Sequence, residues 1–134
     1  PFGGFLDSTL DRTGEAVVYI GIVAFWLSET SSPFVPVMLA VLALSGSFLV
    51  SYSSARAEAA GFTASNGLAP RTERLVILVL GLALGGLRVP LALPLAMGLI
   101  AILAWATVVQ RIWFVRKQAA TAAEPTLISP DKEN

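Results

Sequence analysis

Cysteine and histidine are both missing from this sequence of 134 residues. Their absence excludes disulfides, thiolate zinc sites, Cys and His nucleophiles and every imidazole acid or base. Chemistry is left to carboxylates, Arg, Lys, Tyr and hydroxyls. Charge is scarce too, at 13% of residues, against roughly 25% in an ordinary soluble domain. With 55% apolar residues, a lipid solvent is the simplest explanation. The nine basic and nine acidic residues cancel, so no nucleic-acid partner is expected. No basic stretch precedes an apolar run with a cleavage site, and no signal peptide is expected. Because the sequence opens on Pro1 rather than Met, it is expected to start inside a longer one.

What is present is long apolar segments. A spanning helix needs about 20 mostly apolar residues, and four segments come near that length. The first runs from about Gly4 to Leu27, with a polar opening through Glu15 and an apolar run from Ala16 to Leu27. The second runs from Phe34 to about Ala55, apolar to Val50 and then hydroxyl-rich at Ser51, Tyr52, Ser53 and Ser54. Its end is expected at the membrane surface. The third, Arg71 to about Leu87, is the shortest, and the fourth, Val89 to Val109, is the cleanest. Pro90 and Pro94 are expected in its first turns, where a missing backbone donor costs little. The fold class is therefore all-α, a polytopic membrane helix bundle of about four spans.

Lys and Arg gather on the cytoplasmic side of short loops. With four alternating spans, Arg12, Arg56, Arg71, Arg74, Arg111, Arg116, Lys117 and Lys132 share one face and Arg88 stands alone on the other. This asymmetry predicts a multi-pass cell-membrane protein with the acidic start of the first helix, the loop Ala57 to Pro70 and the tail in the cytoplasm. The membrane domain is expected over 1–115, and the segment 116–134, rich in Ala, Thr, Pro and charge, is expected as a disordered cytoplasmic tail. Gly81 and Gly85 form a G-x-x-x-G pair that lets a neighbouring helix approach closely, or reflect only how common small residues are in spanning helices.

Asp7 and Asp11 lie one helical turn apart, which puts their carboxylates on one face, with Cβ atoms about 5 to 6 Å apart. Oxygen-only ligation favours Mg²⁺ or Mn²⁺ over zinc, and Mg²⁺ binds through one or two carboxylates together with substrate phosphates. Gly3, a turn earlier on the same face, leaves the helix backbone open to a bulky ligand. The plainer reading is two acids that favour the positive end of a helix dipole and face water.

The string Gly3-Gly4-Phe5-Leu6-Asp7-Ser8-Thr9-Leu10-Asp11-Arg12 resembles the second half of the signature of the CDP-alcohol phosphotransferases, D-x-x-D-G-x-x-A-R, a short spacer, then G-x-x-x-D-x-x-x-D. Gly3, Asp7 and Asp11 fill its last three fixed positions. The form of the string is most similar to the branch of phosphatidylinositol-phosphate and archaetidylinositol-phosphate synthases. Ser51-Tyr52-Ser53-Ser54-Ala55-Arg56-Ala57-Glu58 resembles that branch's S-Y-x-K-A-R-A-E, and Arg71-Thr72-Glu73-Arg74-Leu75 resembles its R-P-E-R-L. The resemblance covers residues 1 to about 115, as the last four of six family helices. It implies transfer of a phosphatidyl-type group from a CDP-linked lipid to a phosphorylated polyol such as inositol phosphate, with CMP released, in phospholipid biosynthesis. It also implies Asp7 as metal ligand, Asp11 as ligand and general base, and Gly3 as room for the nucleotide. Ser51, Arg56, Arg71 and Arg74 would bind substrate in a cytoplasmic pocket, where guanidinium forks suit a phosphate. Positive-inside anchoring is the plainer reading of the arginines. A homodimer is implied by the same resemblance.

The sequence departs from the family pattern twice. D-x-x-D-G-x-x-A-R does not occur, so half of the metal site is expected from outside these residues, and the chain alone is expected to be inactive. Ser54 stands where the branch has lysine, which leaves the acceptor open. The competing reading is a non-catalytic structural subunit of a larger membrane complex, derived from the family. A carrier or channel component is a third, weakened by spans without ionisable residues at mid-depth.

Overall fold

The computed structural model of the chain describes residues 2–63 and 70–123. Nearly all of these lie in four helices: α1 (Phe2–Glu29), α2 (Phe34–Ala59), α3 (Arg71–Gly86) and α4 (Ala92–Ala123). The all-α expectation holds, and each apolar segment forms one helix. In hydrocarbon, each backbone donor must find its acceptor inside its own segment, which leaves the helix as the available structure. Hydroxyls follow the same rule: Ser8, Thr9, Thr13 and Ser28 donate to the carbonyls of Gly4, Phe5, Thr9 and Ala24 at 2.8 to 3.0 Å.

Among the described residues, α2 and α4 are long and apolar enough to cross a membrane. α1 carries Asp11, Arg12 and Glu15 before its apolar run begins at Ala16. α3 has 16 residues, about 24 Å at 1.5 Å per residue, against a hydrocarbon core of about 30 Å. α4, with 32 residues, is about 48 Å long and extends past such a core.

The helices form an open arc in the spatial order α1, α2, α4, α3. α2 packs along α4, α3 packs on α4, and α1 packs on α2, burying Tyr19, Ile22 and Trp26 in a cluster with residues of the other three helices. Small residues fill the contact layer, including Ala40, Ala43 and Gly46 on α2 and Ala101 and Ala104 on α4. Large apolar side chains such as Phe25, Phe34, Val41, Leu80, Ile102 and Val109 point outward. This inversion of a soluble bundle suits lipid, where helices associate through close packing rather than through burial of apolar surface. Gly81 carries such a contact, since a Cβ there would lie 2.4 Å from the Ala96 Cβ of α4. At Gly85 a Cβ would lie 3.4 Å from the Leu93 Cβ, so the close-approach reading of G-x-x-x-G holds mainly at its first glycine. At Gly46 a Cβ would lie 2.8 Å from the Ala104 Cβ, a second close approach. The Trp105 indole N–H adds a bond from α4 to the Leu42 carbonyl of α2 at 3.1 Å.

Two expected boundaries are corrected. The fourth helix begins at Ala92 rather than Val89, so Pro90 lies in the preceding turn and Pro94 in the first helical turn. α3 ends with Val89 N–H bonded to the Leu84 carbonyl and Arg88 N–H to the Gly85 carbonyl, both at 3.0 Å. This is the hydrogen-bond pattern of a Schellman cap, with Arg88 at φ 61° where glycine is usual. The second correction concerns 116–134, because α4 continues through Ala123 and residues 116–123 are helical rather than a disordered tail. Ala119, Ala120 and Ala122 are the best helix formers. The Gln118 amide also fixes this end, accepting from Thr63 N–H at 3.2 Å and donating to the Thr63 carbonyl at 2.7 Å. Residues 124–134, with Lys132, lie outside the described residues, as do 64–69 of the α2–α3 loop.

Candidate active site

Up-and-down connectivity brings four helix ends to one end of the arc: the starts of α1 and α3, the end of α2 and the later turns of α4. Between them lies a cavity of about 610 Å³. α1 contributes Ser8, Thr9 and Arg12, and α2 contributes Ser51, Ser54 and Glu58. Arg71 and Arg74 line it from α3 and Arg111 from α4. Four guanidinium groups thus face one carboxylate among the lining side chains.

Their states differ. Arg12 pairs with Glu15 at 2.8 Å. Arg71 pairs with Asp11, joining the head of α3 to the head of α1. Arg111 donates to the Val50 carbonyl and the Ser54 hydroxyl. Arg74 is 4% exposed, and its Nε and Nη1 have no hydrogen-bond partner. A buried guanidinium without such partners carries a desolvation cost that an incoming anion relieves. Asp11 belongs to the polar opening of α1. The Arg71 hydrogen bond holds its carboxyl below the usual carboxylate range.

The structure brings Ser51, Arg71 and Arg74 together around one cavity, with Asp11 tied to their rim through Arg71. Asp7 is exposed one turn earlier on α1 and does not line the cavity. Gly3 is exposed, and a Cβ placed there would have no neighbour within 4 Å. Arg56 is not brought to this cavity. It lies five residues after Ser51, about 140° around a helix of 3.6 residues per turn, and lines a separate groove with Arg116. Among the other lining residues, Arg12, Glu58 and Arg111 were given no role in the site by the sequence, while Ser54 stands at the position where the family branch has lysine. In the sequence Arg111 stands as the first cation after an apolar run, indistinguishable from a membrane anchor.

Three or more His, Cys, Asp or Glu residues placed to hold a metal ion do not occur among the described residues. Asp7 and Asp11 place two carboxylates one turn apart on α1, a donor set that fits part of a hard-cation site.

No family model matches the chain. It is 39% identical over 114 residues to the archaetidylinositol phosphate synthase of Methanothermobacter thermautotrophicus, covering 85% of this chain and 55% of that one. To the phosphatidylinositol phosphate synthase of Corynebacterium glutamicum it is 38% identical over 112 residues, 83% of this chain and 51% of the relative. Its fold matches the crystal structure of Mycobacterium tuberculosis phosphatidylinositol phosphate synthase with CDP-DAG bound, with a TM-score of 0.78 at 30% identity. That match covers 99% of this chain and 65% of the other. The chain spans little more than half the length of the curated relatives it matches. It is a membrane protein, and these similarities are to the CDP-alcohol phosphotransferase family. Within the family, its similarity lies with the phosphatidylinositol and archaetidylinositol phosphate synthases.

Proposed function

We propose that the chain forms the acceptor side of a transferase that moves a phosphatidyl-type group from a CDP-linked lipid to a phosphorylated polyol such as inositol phosphate, with CMP as leaving group. The observation that carries this reading is Arg74, a buried guanidinium with two unpartnered nitrogens, facing a polar cavity beside a helix that carries two acids. Arg74 binds the phosphate of the polyol, with Arg111 and Arg71 beside it, and Ser51 and Ser54 offer hydroxyls to the ring. Asp11 takes the proton of the attacking hydroxyl as its oxygen bonds to the β-phosphorus and the bond from that phosphorus to CMP breaks. Arg71 serves two anions in turn. Once its fork turns to the substrate phosphate, the Asp11 carboxylate regains basicity and a free oxygen.

Mg²⁺ or Mn²⁺, when bound, neutralises charge on the transferred phosphoryl oxygens. Asp7 and Asp11 would hold it, with further carboxylates required beyond this pair. A Mycobacterium tuberculosis relative, 30% identical and with a TM-score of 0.78, has been crystallised with manganese and citrate, which supports a divalent ion. Gly3 leaves the start of α1 open to the nucleotide. All four helices cross the cell membrane, with the cavity on the cytoplasmic side, a reading supported by the basic residues gathered at that end. The unit assembles as a homodimer or within a larger complex.

The test is CMP release from CDP-diacylglycerol with inositol phosphate as acceptor. It compares the chain alone with the chain co-expressed with a segment bearing D-x-x-D-G-x-x-A-R, with and without Mg²⁺. Release is expected only from the combination with metal. Asp11→Asn should lower it by about a hundredfold or more, and Arg74→Gln should raise KM for inositol phosphate by about thirtyfold. Equal release by the Asp11→Asn form would remove Asp11 from the chemistry, and an unchanged KM in the Arg74→Gln form would empty the proposed phosphate site.

A further inference from the structure

A second groove lies at the same end of the arc, on the flank of the α2–α4 contact where Arg56 and Arg116 meet. It encloses about 450 Å³. Arg56 comes from α2 and Arg116 from α4, both exposed, with Arg111 at the shared wall, and no acidic residue lines it. The ion pairs among the described residues are Arg12–Glu15 and Arg71–Asp11, so Arg56 and Arg116 are without an acidic partner there. Phe62, Ile112 and Val115 supply an apolar wall. Next to Ile112, the Trp113 ring is exposed, with the Lys117 ammonium 5.7 Å from its centroid.

We propose that this groove binds the phosphate of an anionic phospholipid head group from the cytoplasmic leaflet. Depth favours a lipid over a soluble phosphate. The apolar run of α2 ends at Val50 and that of α4 at Val109, so Arg56 and Arg116 stand about 9 and 10 Å further along their helices. The head-group layer adds roughly 5 to 8 Å to each side of the hydrocarbon core, and helical side chains lean toward the N-terminus, which on α2 and α4 is the membrane side, so the two long guanidinium stems reach back to that layer. Ile112 and Val115 lie between the cations and the apolar runs, where the glycerol and the first chain carbons of a seated lipid would lie. Trp113 is of the residue type that settles at this boundary. Two guanidinium forks suit a phosphodiester, and basic pockets between helices on this side are the usual seat of anionic head groups. Arg56 thus receives a role distinct from the acceptor cavity, and the inference stands whether or not the transferase reading does.

The test uses the full 134-residue chain, delipidated and titrated with phosphatidylglycerol or phosphatidylcholine, with bound lipid counted by native mass spectrometry. The wild type should retain phosphatidylglycerol in preference to phosphatidylcholine. Arg56→Gln combined with Arg116→Gln should weaken that retention about tenfold or more, while Arg88→Gln, at the opposite end of α3, should leave it unchanged. Helicity by circular dichroism is read alongside, and if the double form loses helix, Arg116→Gln alone is expected to weaken retention severalfold. Undiminished retention in a folded variant would overturn the proposal. Displacement of the lipid by millimolar glycerol 3-phosphate would overturn it too, marking a soluble-phosphate site instead.

Discussion

Asp11 reaches Arg71 from the opposite wall of the cleft, and each changes what the other can do. The guanidinium holds the Asp11 carboxyl below its ordinary value of 3.8. A carboxyl whose pKa is lower in the folded state adds stability above the ordinary value and loses that contribution as pH falls through the lowered one. In a chemical-shift titration the Asp11 midpoint should therefore lie below 3.8, and Arg71→Gln should move it upward. Added salt should shrink the difference, since the pair is open to solvent. A midpoint that ignores Arg71→Gln would show the two side chains apart in solution. At this scale the sequence revealed the i, i+4 acids and two of the cavity's arginines. It could not reveal that Arg71 is already engaged by Asp11, since a long guanidinium stem chooses its partner in three dimensions. Helical phase, which the string alone does not display, turns Arg56 away from Ser51 and into the second groove.

At the scale of elements, the contact layer is set by glycine and alanine rather than by bulk. Gly81→Ala would press a methyl into Ala96 at 2.4 Å, so it should destabilise the α3–α4 contact by about 1 to 3 kcal/mol. Ala96→Gly in the same chain should restore most of the loss. Gly86→Ala, with nothing within 4 Å of the added carbon, should be neutral or mildly stabilising. Thermal unfolding in one detergent separates the three, and equal melting of the Gly81→Ala form and wild type would mean that α3 shifts freely on α4. The four apolar segments were legible because lipid imposes a length and a composition on each. The start of α4 was not, because Arg88 and Leu91 both adopt φ 61°, a conformation that no local string advertises. Helix beyond Lys117 was missed for a related reason: composition alone could not show Gln118 reaching Thr63.

For the whole molecule, the absence of cysteine makes sidedness directly measurable. Ala60→Cys should react with an impermeant maleimide only from the cytoplasmic side of vesicles, and Arg88→Cys only from the other. Labelling of both from one side would show that α3 does not cross the bilayer. The expected sidedness rests on the lopsided cations of the sequence, which gave no sign that the helices pack in an arc. In the arc, α1 packs along α2 and meets α3 at its head through the Arg71–Asp11 pair, while α2 and α4 are each packed between two neighbours. The helix that carries both acids is therefore the most lightly packed of the four, with one ion pair latching its head to α3. Under mechanical load it would peel away first, leaving the other three helices as a surviving core.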